Sequence, residues 1–230
     1  MSPSKAVVVL GMHRSGTSCL AGCLEEAGLY LGPVNTKAPH NARGNRENRA
    51  IMDLNDEVLR ANGGAWDRPP AAVRWDESQR RRRDGIIAAY PTHDIWGFKE
   101  PRTLLTLEGW LEALPMPSCV GTFRHPTAVA ESLLQRNKFA PEKAYALWLA
   151  YNRRLLAYWE RFRFPIICFD WEPPQYAERL AKIAGKLGLA DPPRGSSFFT
   201  SALRRHHGRM ERELPAEVRA LYETLWEIAS

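Results

Sequence analysis

The chain lacks any long apolar segment. No run among its 230 residues approaches the roughly 20 apolar residues that a membrane-spanning helix requires. The first residues, Met1 to Lys5, lead directly into an apolar strand pattern and show no features of a signal peptide. We therefore expect a protein with neither an integral membrane segment nor a secretory leader.

Cysteine is also scarce, and its spacing excludes familiar metal sites. The four cysteines, Cys19, Cys23, Cys119 and Cys168, form no CxxC pair and have no histidine-rich neighbourhood. Zinc sites normally show such spacing, so we expect no bound metal. Cys19 and Cys23 lie about one helical turn apart and should pack as small apolar side chains. This cysteine usage favours a reducing compartment, and we expect a cytoplasmic protein.

Nucleic-acid-binding motifs are missing although the chain is basic. The formal net charge is +6 and the pI is about 9.3, without an RNP, helix-turn-helix or zinc-finger signature. We expect no nucleic-acid partner, and an anionic ligand would account for part of the positive charge. The four consecutive arginines at 80–83 favour the solvated face of a helix over 76–90. The alternative is a docking site for an acidic glycan or a lipid headgroup.

Short apolar segments alternate with helical patterns along the chain. The predicted strands are 5–10, 95–98, 119–123 and 165–169. Strands separated by helices are typical of a parallel sheet covered on both faces. The length suits one domain with a full core. We therefore predict an α/β protein in which residues 1–230 form a single domain around a central parallel β-sheet.

The most informative motif follows the first predicted strand. Gly11 and Gly16 bound a G-x-x-x-x-G loop, and a helix is predicted to open at Thr17. Such a loop directs backbone N–H groups and the positive end of a helix dipole at one point, which suits a phosphate. A Walker loop has lysine where this chain has Thr17, and here the positive charge lies on Arg14 inside the loop. The loop thus predicts a phosphate site without the lysine that binds the β- and γ-phosphates of ATP.

A second pair of residues suits another phosphate. Arg124 follows the predicted strand 119–123, and Ser132 lies eight positions later on a helix predicted over 127–137. A guanidinium binds a phosphate in bidentate fashion and a hydroxyl adds a third donor, so the pair can hold a dianion in one orientation.

These motifs, taken in order, resemble those of the sulfotransferases that use 3′-phosphoadenosine 5′-phosphosulfate (PAPS). The loop with Arg14 resembles the family's 5′-phosphosulfate loop, and the Arg124–Ser132 pair resembles its 3′-phosphate motif. Lys99, in Lys99-Glu100-Pro101-Arg102, resembles the family lysine that contacts the transferring group. The family often has aspartate where this chain has Glu100.

The resemblance implies a P-loop NTPase-like sulfotransferase fold and a set of nucleotide contacts. The expected reaction moves a sulfuryl group from PAPS to an acceptor hydroxyl by in-line attack, without a metal, and releases adenosine 3′,5′-bisphosphate (PAP). The implied nucleotide-binding residues are Arg14, Ser15, Gly16, Thr17, Ser18, Arg124 and Ser132, with Arg204 and Arg205 in a late basic segment.

Three residues are candidates for the chemistry. Glu47, in Asn45-Arg46-Glu47-Asn48-Arg49, resembles a family glutamate that faces the acceptor, and it is our first candidate for the general base. His13, within the loop, is the second candidate. Lys99 would neutralise charge that builds on the leaving phosphate. Glu47 is expected at the start of a helix over 47–62, within a probable acceptor-side insertion at 32–75 that also carries Trp66 and Trp75. The expected acceptor is a small molecule or glycan, that is a carbohydrate, lipid or secondary metabolite.

Two other functions stay open at this stage. The apolar segment 166–169 ends in Asp170, as does a Walker B strand that holds magnesium, which favours a P-loop kinase or another ATP-using phosphotransferase. The missing loop lysine and the Arg124–Ser132 pair disfavour this alternative. The third possibility is a nucleotide-binding relative that has lost catalysis.

Overall fold

A computed structural model describes residues 5–38, 43–90, 93–114, 117–192, 198 and 213–230. These residues form four strands and eight helices. The strands are β1 (Lys5–Leu10), β2 (Ile95–Lys99), β3 (Ser118–Phe123) and β4 (Ile166–Cys168). The helices are α1 (Thr17–Glu26), α2 (Arg49–Ala61), α3 (Glu77–Ala88), α4 (Thr103–Leu111), α5 (Pro126–Asn137), α6 (Pro141–Phe162), α7 (Pro173–Leu187) and α8 (Ala216–Ala229).

The four strands form one parallel sheet, as predicted. The strand order is β2-β1-β3-β4, and Val7 of β1 pairs with Gly97 on one side and with Ser118 on the other. β1 is buried on both faces, which explains its continuous run of apolar residues. The predicted α/β class with a central parallel sheet is therefore confirmed.

The topology fixes where a ligand can bind. The chain moves from β1 to β2 on one side of β1 and then to β3 on the other, so the connections diverge at the carboxyl end of β1. In open α/β sheets a crevice forms at such a divergence and binds ligands. The loop 11–16 lies at this point of the fold.

The insertion begins its helix two residues later than predicted. Asn48 is extended, and its side chain accepts a hydrogen bond from the backbone N–H of Ala50, so it caps α2 at Arg49. Asparagine is a favoured N-cap because its side-chain oxygen satisfies an amide that the helix leaves unpaired. Glu47 therefore lies in the extended segment before the helix and not in its first turn.

The arginines at 80–83 are not a uniformly solvated face. Arg83 is buried, and its guanidinium donates to the carbonyl of Gly109 and contacts Glu112 at 2.9 Å. The other three pair with carboxylates: Arg80 with Glu112, Arg81 with Glu77 and Arg82 with Glu57. The helix predicted over 76–90 is present as α3. The prediction that its four arginines form a solvated face is wrong for Arg83, which is buried.

Several residues outside the site complete the core. Trp75 lies on a loop, as predicted, between α2 and α3, and it is buried: its Nε1 donates to the carbonyl of Thr106 at 3.2 Å and its ring meets Trp110 edge-on. The four cysteines are all buried, and no disulfide joins them. Within the described ranges, no helix combines the length and apolar character needed to cross a membrane.

Candidate active site

The loop after β1 depends on two close approaches of its glycines. A Cβ at Gly11 would lie 2.6 Å from the carbonyl oxygen of Thr122, so only glycine fits against β3 there. Gly16 has a φ of 82°, in the left-handed region, and a Cβ at this position would collide with the ring of Phe169. Both glycines of the G-x-x-x-x-G loop are therefore required by close contacts, Gly11 with Thr122 of β3 and Gly16 with Phe169 directly after β4.

The loop leads into an uncapped helix end. Thr122 Oγ1 donates to the carbonyl of Ser15 at 3.0 Å, and Ser15 is fully buried. Gly16, the N-cap residue of α1, has no side chain to cap this helix, which begins at Thr17. The first amides of a helix lack partners within the helix, so this end combines open N–H donors with a positive dipole. The arrangement can hold a phosphate group.

Lys99 lies beside this helix end and is paired with Glu47. Its Nζ is 2.7 Å from Glu47 Oε1 and donates to Ser18 Oγ at 3.2 Å. The Lys99 side chain is only 1% exposed and that of Glu47 is 11% exposed. Burial lowers the pKa of Lys99, and the carboxylate of Glu47 opposes that shift. The structure thus brings two predicted catalytic residues together with one predicted phosphate contact.

Backbone contacts hold Glu47 in this place. Its backbone N–H donates to the side-chain oxygen of Asn35 at 3.3 Å, and its carbonyl accepts from the backbone N–H of Asn35 at 3.1 Å. Ser18 Oγ donates to the carbonyl of Asn45 at 3.1 Å, which ties α1 to the same segment. The extended segment before α2 is therefore fixed on two sides around Glu47.

A buried polar network under Lys99 was not predicted. Glu100 Oε2 accepts from Asn55 Nδ2 at 2.8 Å and from the backbone N–H of Arg102 at 3.1 Å, and Arg102 also pairs with Asp56. Burial raises the pKa of Glu100 to about 7, while Arg102 opposes the shift. The sequence gives little indication of this network, because Asn55 and Asp56 of α2 are distant in the sequence from Glu100 and Arg102. Only Glu100 indicates it, because it is adjacent to the predicted site residue Lys99.

His13 packs against a cluster of aromatic side chains, Trp66, Tyr151 and Phe139, which we call the aromatic wall. Its ring centroid lies 4.7 Å from that of Trp66 and 6.0 Å from that of Tyr151. Tyr151 donates its hydroxyl to the carbonyl of Trp66 at 2.9 Å, and the Trp66 ring stacks on Phe139. Burial lowers the pKa of His13 well below its ordinary value, and the nearby cations Arg102 and Lys99 lower it further. Both effects favour the neutral form of the His13 imidazole.

Arg124 is held at the end of β3 by the segment after β4. Its Nε donates to Asp170 Oδ1 at 3.1 Å, and its guanidinium lies 5.1 Å from the centre of the Phe169 ring. The second oxygen of Asp170 accepts from the backbone N–H of His125 at 2.7 Å. Arg124 is only 5% exposed. Phe169 thus packs on Gly16 of the loop and also lies under Arg124.

Ser132, predicted to bind a phosphate together with Arg124, contacts Arg14 of the loop. Arg14 Nε donates to Ser132 Oγ at 2.6 Å, although the two residues are 118 positions apart. Ser132 is 2% exposed on α5, which begins at Pro126 with His125 as its N-cap. The structure therefore joins the two predicted phosphate sites through Arg14.

The late basic segment lies largely outside the described residues. Arg204 and Arg205 fall in that part of the chain, so the structure does not bear on their predicted roles. Phe198 is described and buried, and Cys19 Sγ contacts its carbonyl oxygen at 3.1 Å. Its ring occupies the space beside Gly22 of α1 and lies under the guanidinium of Arg46, at 4.7 Å.

The described residues contain no group of three or more metal-ligating side chains. Asp170, the Walker B candidate, uses one carboxylate oxygen for Arg124 and the other for the backbone of His125.

Comparison with solved structures shows the fold. The sulfotransferase domain from the curacin biosynthetic pathway superposes with a TM-score of 0.52 at 15% identity, over 97% of this chain and 98% of that one. Sulfotransferase STF1 from Mycobacterium tuberculosis gives a TM-score of 0.41 at 13% identity, over 100% of this chain and 77% of that one. No family model and no curated protein matches the sequence. The chain has the fold of the curacin-pathway domain, as the resemblance of its motifs implied.

Proposed function

We propose that the protein is a sulfotransferase that moves a sulfuryl group from PAPS to an acceptor hydroxyl and releases PAP. The observation that carries the proposal is the contact of Arg14 in the loop with Ser132 on α5, which brings the two predicted phosphate sites together. One predicted site is the loop and the start of α1 at Thr17, and the other comprises Ser132 and Arg124. A nucleotide with phosphates on both its 5′ and 3′ positions needs two such sites, whereas the phosphate chain of ATP needs one.

The Lys99–Glu47 pair supplies the groups that the reaction needs. The acceptor hydroxyl forms a bond to sulfur as the bond from sulfur to the bridging oxygen of the nucleotide breaks. Glu47 takes the hydroxyl proton, and Lys99 and Arg14 offset the negative charge that develops on the leaving phosphate. The support for these roles is the position of Lys99, which donates to Ser18 at the start of α1 and contacts Glu47 at 2.7 Å. His13 remains the second candidate for the base.

The contacts of Asp170 disfavour the kinase alternative. A Walker B aspartate needs a carboxylate oxygen directed toward the magnesium of the nucleotide. Both oxygens of Asp170 accept hydrogen bonds from Arg124 and His125. The buried Lys99–Glu47 pair, in turn, supports an active enzyme over a relative that only binds a nucleotide.

The aromatic wall supports an acceptor site formed by the insertion. Trp66 belongs to the segment 32–75 and lies against His13 of the loop, so the insertion reaches the edge of the predicted sulfuryl site. We propose an acceptor with a hydroxyl group, either a small molecule or a glycan. We also propose a cytoplasmic location, which the four buried cysteines support, since none of them is in a disulfide.

Calorimetric titration with PAP, AMP and ATP tests the function. We expect PAP to bind much more tightly than AMP or ATP, and Arg124→Ala to remove most of that preference. A charge-assisted bond to phosphate contributes about 1.5–3 kcal/mol, which corresponds to a roughly tenfold to 150-fold change in affinity.

Arg81→Ala is the matched control, because it removes the same charge from an exposed pair with Glu77 on α3. Its affinity for PAP should equal that of the wild type. Equal affinity of the wild type for PAP and ATP, together with magnesium-dependent turnover of ATP, would refute the proposal.

A further inference from the structure

Arg46, the residue before Glu47, has a backbone conformation that is unfavourable for arginine. Its φ is 56°, in the left-handed region, where the Cβ of a non-glycine residue crowds the backbone. Such conformations persist where the surrounding structure enforces them, and they are concentrated at functional sites. The backbone N–H of Arg46 donates to the carbonyl of Asn35 at 3.2 Å, which adds to the contacts that fix the segment before α2.

The side chain of Arg46 makes two contacts that offset this unfavourable conformation. Its Nε lies 2.9 Å from a carboxylate oxygen of Glu25 in the last turn of α1, and the side chain is only 14% exposed. Its guanidinium also lies over the ring of Phe198, a favourable cation–π arrangement. Burial raises the pKa of Glu25, and the charge of Arg46 opposes that shift by favouring the ionised carboxylate.

Phe198 is in turn fixed on α1. Its ring occupies the space beside Gly22, where an added Cβ would collide with it. Phe198 is buried, and its carbonyl oxygen lies 3.1 Å from Cys19 Sγ. Arg46 therefore contacts a carboxylate and a ring that both rest on one helix, and that helix begins at Thr17 in the predicted phosphate site.

Arg46 and Glu47 are adjacent in the chain, but their side chains contact different parts of the molecule. Arg46 reaches the last turn of α1, whereas Glu47 Oε1 lies 2.7 Å from Lys99 Nζ at the end of β2. The backbone direction at Arg46 sets where the next residue begins, so a shift of Arg46 also moves the Glu47 carboxylate. A displacement of about 1 Å at a reacting group costs roughly 100-fold in rate.

We propose that Arg46 is a positioning residue for the general base. Its contacts with Glu25 and Phe198 hold the left-handed turn that directs the Glu47 carboxylate toward Lys99. This inference rests on the proposed function, in which Glu47 takes the proton of the acceptor hydroxyl, and extends it. Arg46 acts through Glu47 and not on the reacting atoms.

The test measures kcat and KM with an identified acceptor, PAP affinity by calorimetry and the free energy of unfolding in denaturant. The variants are Arg46→Gly, Arg46→Lys and Glu25→Gln, each made alone and together with Glu47→Gln. Glycine adopts the left-handed backbone without strain, so Arg46→Gly removes the side-chain contacts while the turn stays accessible. Lysine keeps the charge beside Glu25 but lacks the planar guanidinium.

Arg163→Gly is the matched control. Arg163 has a φ of 51°, in the same left-handed region, and its guanidinium lies over the ring of Trp159 at 4.2 Å. It precedes β4, at the edge of the sheet opposite the loop 11–16. The control therefore removes the same side chain from the same kind of turn, and it should keep the full rate.

We expect Arg46→Gly to lower kcat about tenfold to 100-fold, while the acceptor KM and the PAP affinity stay close to those of the wild type. Arg46→Lys should recover part of the rate. Glu25→Gln leaves Arg46 on the ring of Phe198 and should lower kcat by a smaller factor. Because Arg46 acts through the Glu47 carboxylate, Arg46→Gly should lower kcat no further in a protein that already carries Glu47→Gln.

The outcomes distinguish this inference from the function on which it rests. If the wild type transfers no sulfuryl group from PAPS, the proposed function fails. If it does, and Arg46→Gly keeps the wild-type kcat or lowers it by the same factor with and without Glu47→Gln, this inference alone is overturned. A fall in kcat matched by an equal loss of PAP affinity would overturn it too, because Arg46 would then be a nucleotide contact. Should Arg46→Gly not fold, Glu25→Gln with and without Glu47→Gln provides the same comparison.

Discussion

Lys99 and Glu47 form a buried ion pair at the point where the predicted reaction takes place. A buried charge is unfavourable unless it is paired, so each of the two side chains stabilises the charged form of the other. The contact at 2.7 Å orients the Glu47 carboxylate toward the loop and the start of α1. A glutamate in bulk solvent would have no such orientation.

Glu47→Gln tests the assignment of the base. Glutamine keeps the size of the side chain and an oxygen for Lys99, but its amide does not accept the acceptor's proton. Since positioned general bases contribute about 10²–10⁴-fold in rate, we expect kcat to fall at least about 100-fold while the affinity for PAP stays near that of the wild type. Steady-state kinetics with an identified acceptor, with PAP titration in parallel, measures both quantities.

His13→Asn is the paired variant for this experiment. We expect it to lower the rate less than Glu47→Gln or to act through nucleotide binding, because the His13 ring packs against Trp66 and Tyr151. If Glu47→Gln turns over normally and His13→Asn is inactive, the base is His13.

Glu100 makes the stability of the fold depend on pH. Its pKa is raised by burial to about 7 from an ordinary value of 4.5, so between these values the folded chain holds a proton that the unfolded chain releases. The stability that Glu100 contributes is therefore complete below pH 4.5 and is lost as the pH rises through 7. A permanently neutral side chain at this position removes the dependence.

We expect the free energy of unfolding of the wild type, relative to Glu100→Gln, to decrease between pH 5 and pH 7. Chemical denaturation at several pH values measures this difference, in which the contributions of other groups cancel. Glu227→Gln, on the exposed surface of α8, should show no such trend relative to the wild type. A wild type that gains stability over Glu100→Gln across this range would contradict the pKa shift.

At the scale of the elements, Asn55 joins α2 to α4. Its Nδ2 donates to Glu100 at 2.8 Å and to Thr103 at 2.9 Å. Its Oδ1 accepts from Thr106 at 2.8 Å and from the indole of Trp110 at 3.0 Å. All of the hydrogen-bonding capacity of this buried amide is therefore used between elements.

Asn55→Leu should destabilise the protein strongly. It leaves Glu100, Thr106 and Trp110 each without one partner, and an unsatisfied buried group costs about 1–3 kcal/mol. We expect the free energy of unfolding to fall by about 3 kcal/mol or more in denaturant titrations. Asp53→Ala removes only the exposed pair with Arg49 on the same helix and should change it by less than about 1 kcal/mol. Similar losses for the two variants would show that Asn55 does not join the helices.

For the helices and strands, local features of the sequence predict part of the structure. Local signals predict several elements, since an apolar run predicts β1 and the helix predicted over 127–137 corresponds to α5, which begins one residue earlier at Pro126. The start of α2 was wrong by two residues although Asn48 is a typical N-cap. Comparable signals mark α7, which has Pro173 at its first position and Gly188 directly after its end.

Contacts between distant segments follow less readily from a sequence. The loop spacing indicated a phosphate site, and the order of the motifs indicated the fold. The contact of Arg14 with Ser132 depends on a left-handed backbone at Arg14, which its residue type does not suggest. The network around Asn55 depends on how α2 packs on α4, and the sequence alone does not specify that packing.

Across the whole molecule, positive charge is distributed in two ways. The arginines at 80–83 are offset by carboxylates of neighbouring elements, so they add little field toward an acceptor. Arg14, Lys99 and Arg124 lie at the carboxyl edge of the sheet, where Lys99 pairs with Glu47 and Arg124 pairs with Asp170. The cations at this edge are therefore held in place by the side chains around them, ready to face an anionic ligand.

The four buried cysteines also define how the protein can be studied by chemical labelling. Only a thiolate reacts with maleimide-type reagents, and burial raises the pKa values of Cys119 and Cys168 to about 12. Cys19 and Cys23 are equally enclosed within α1. A single cysteine introduced on the surface would therefore carry a fluorophore or spin label without prior removal of the native thiols. A probe placed near Trp66 would then report on acceptor binding in an otherwise unmodified chain.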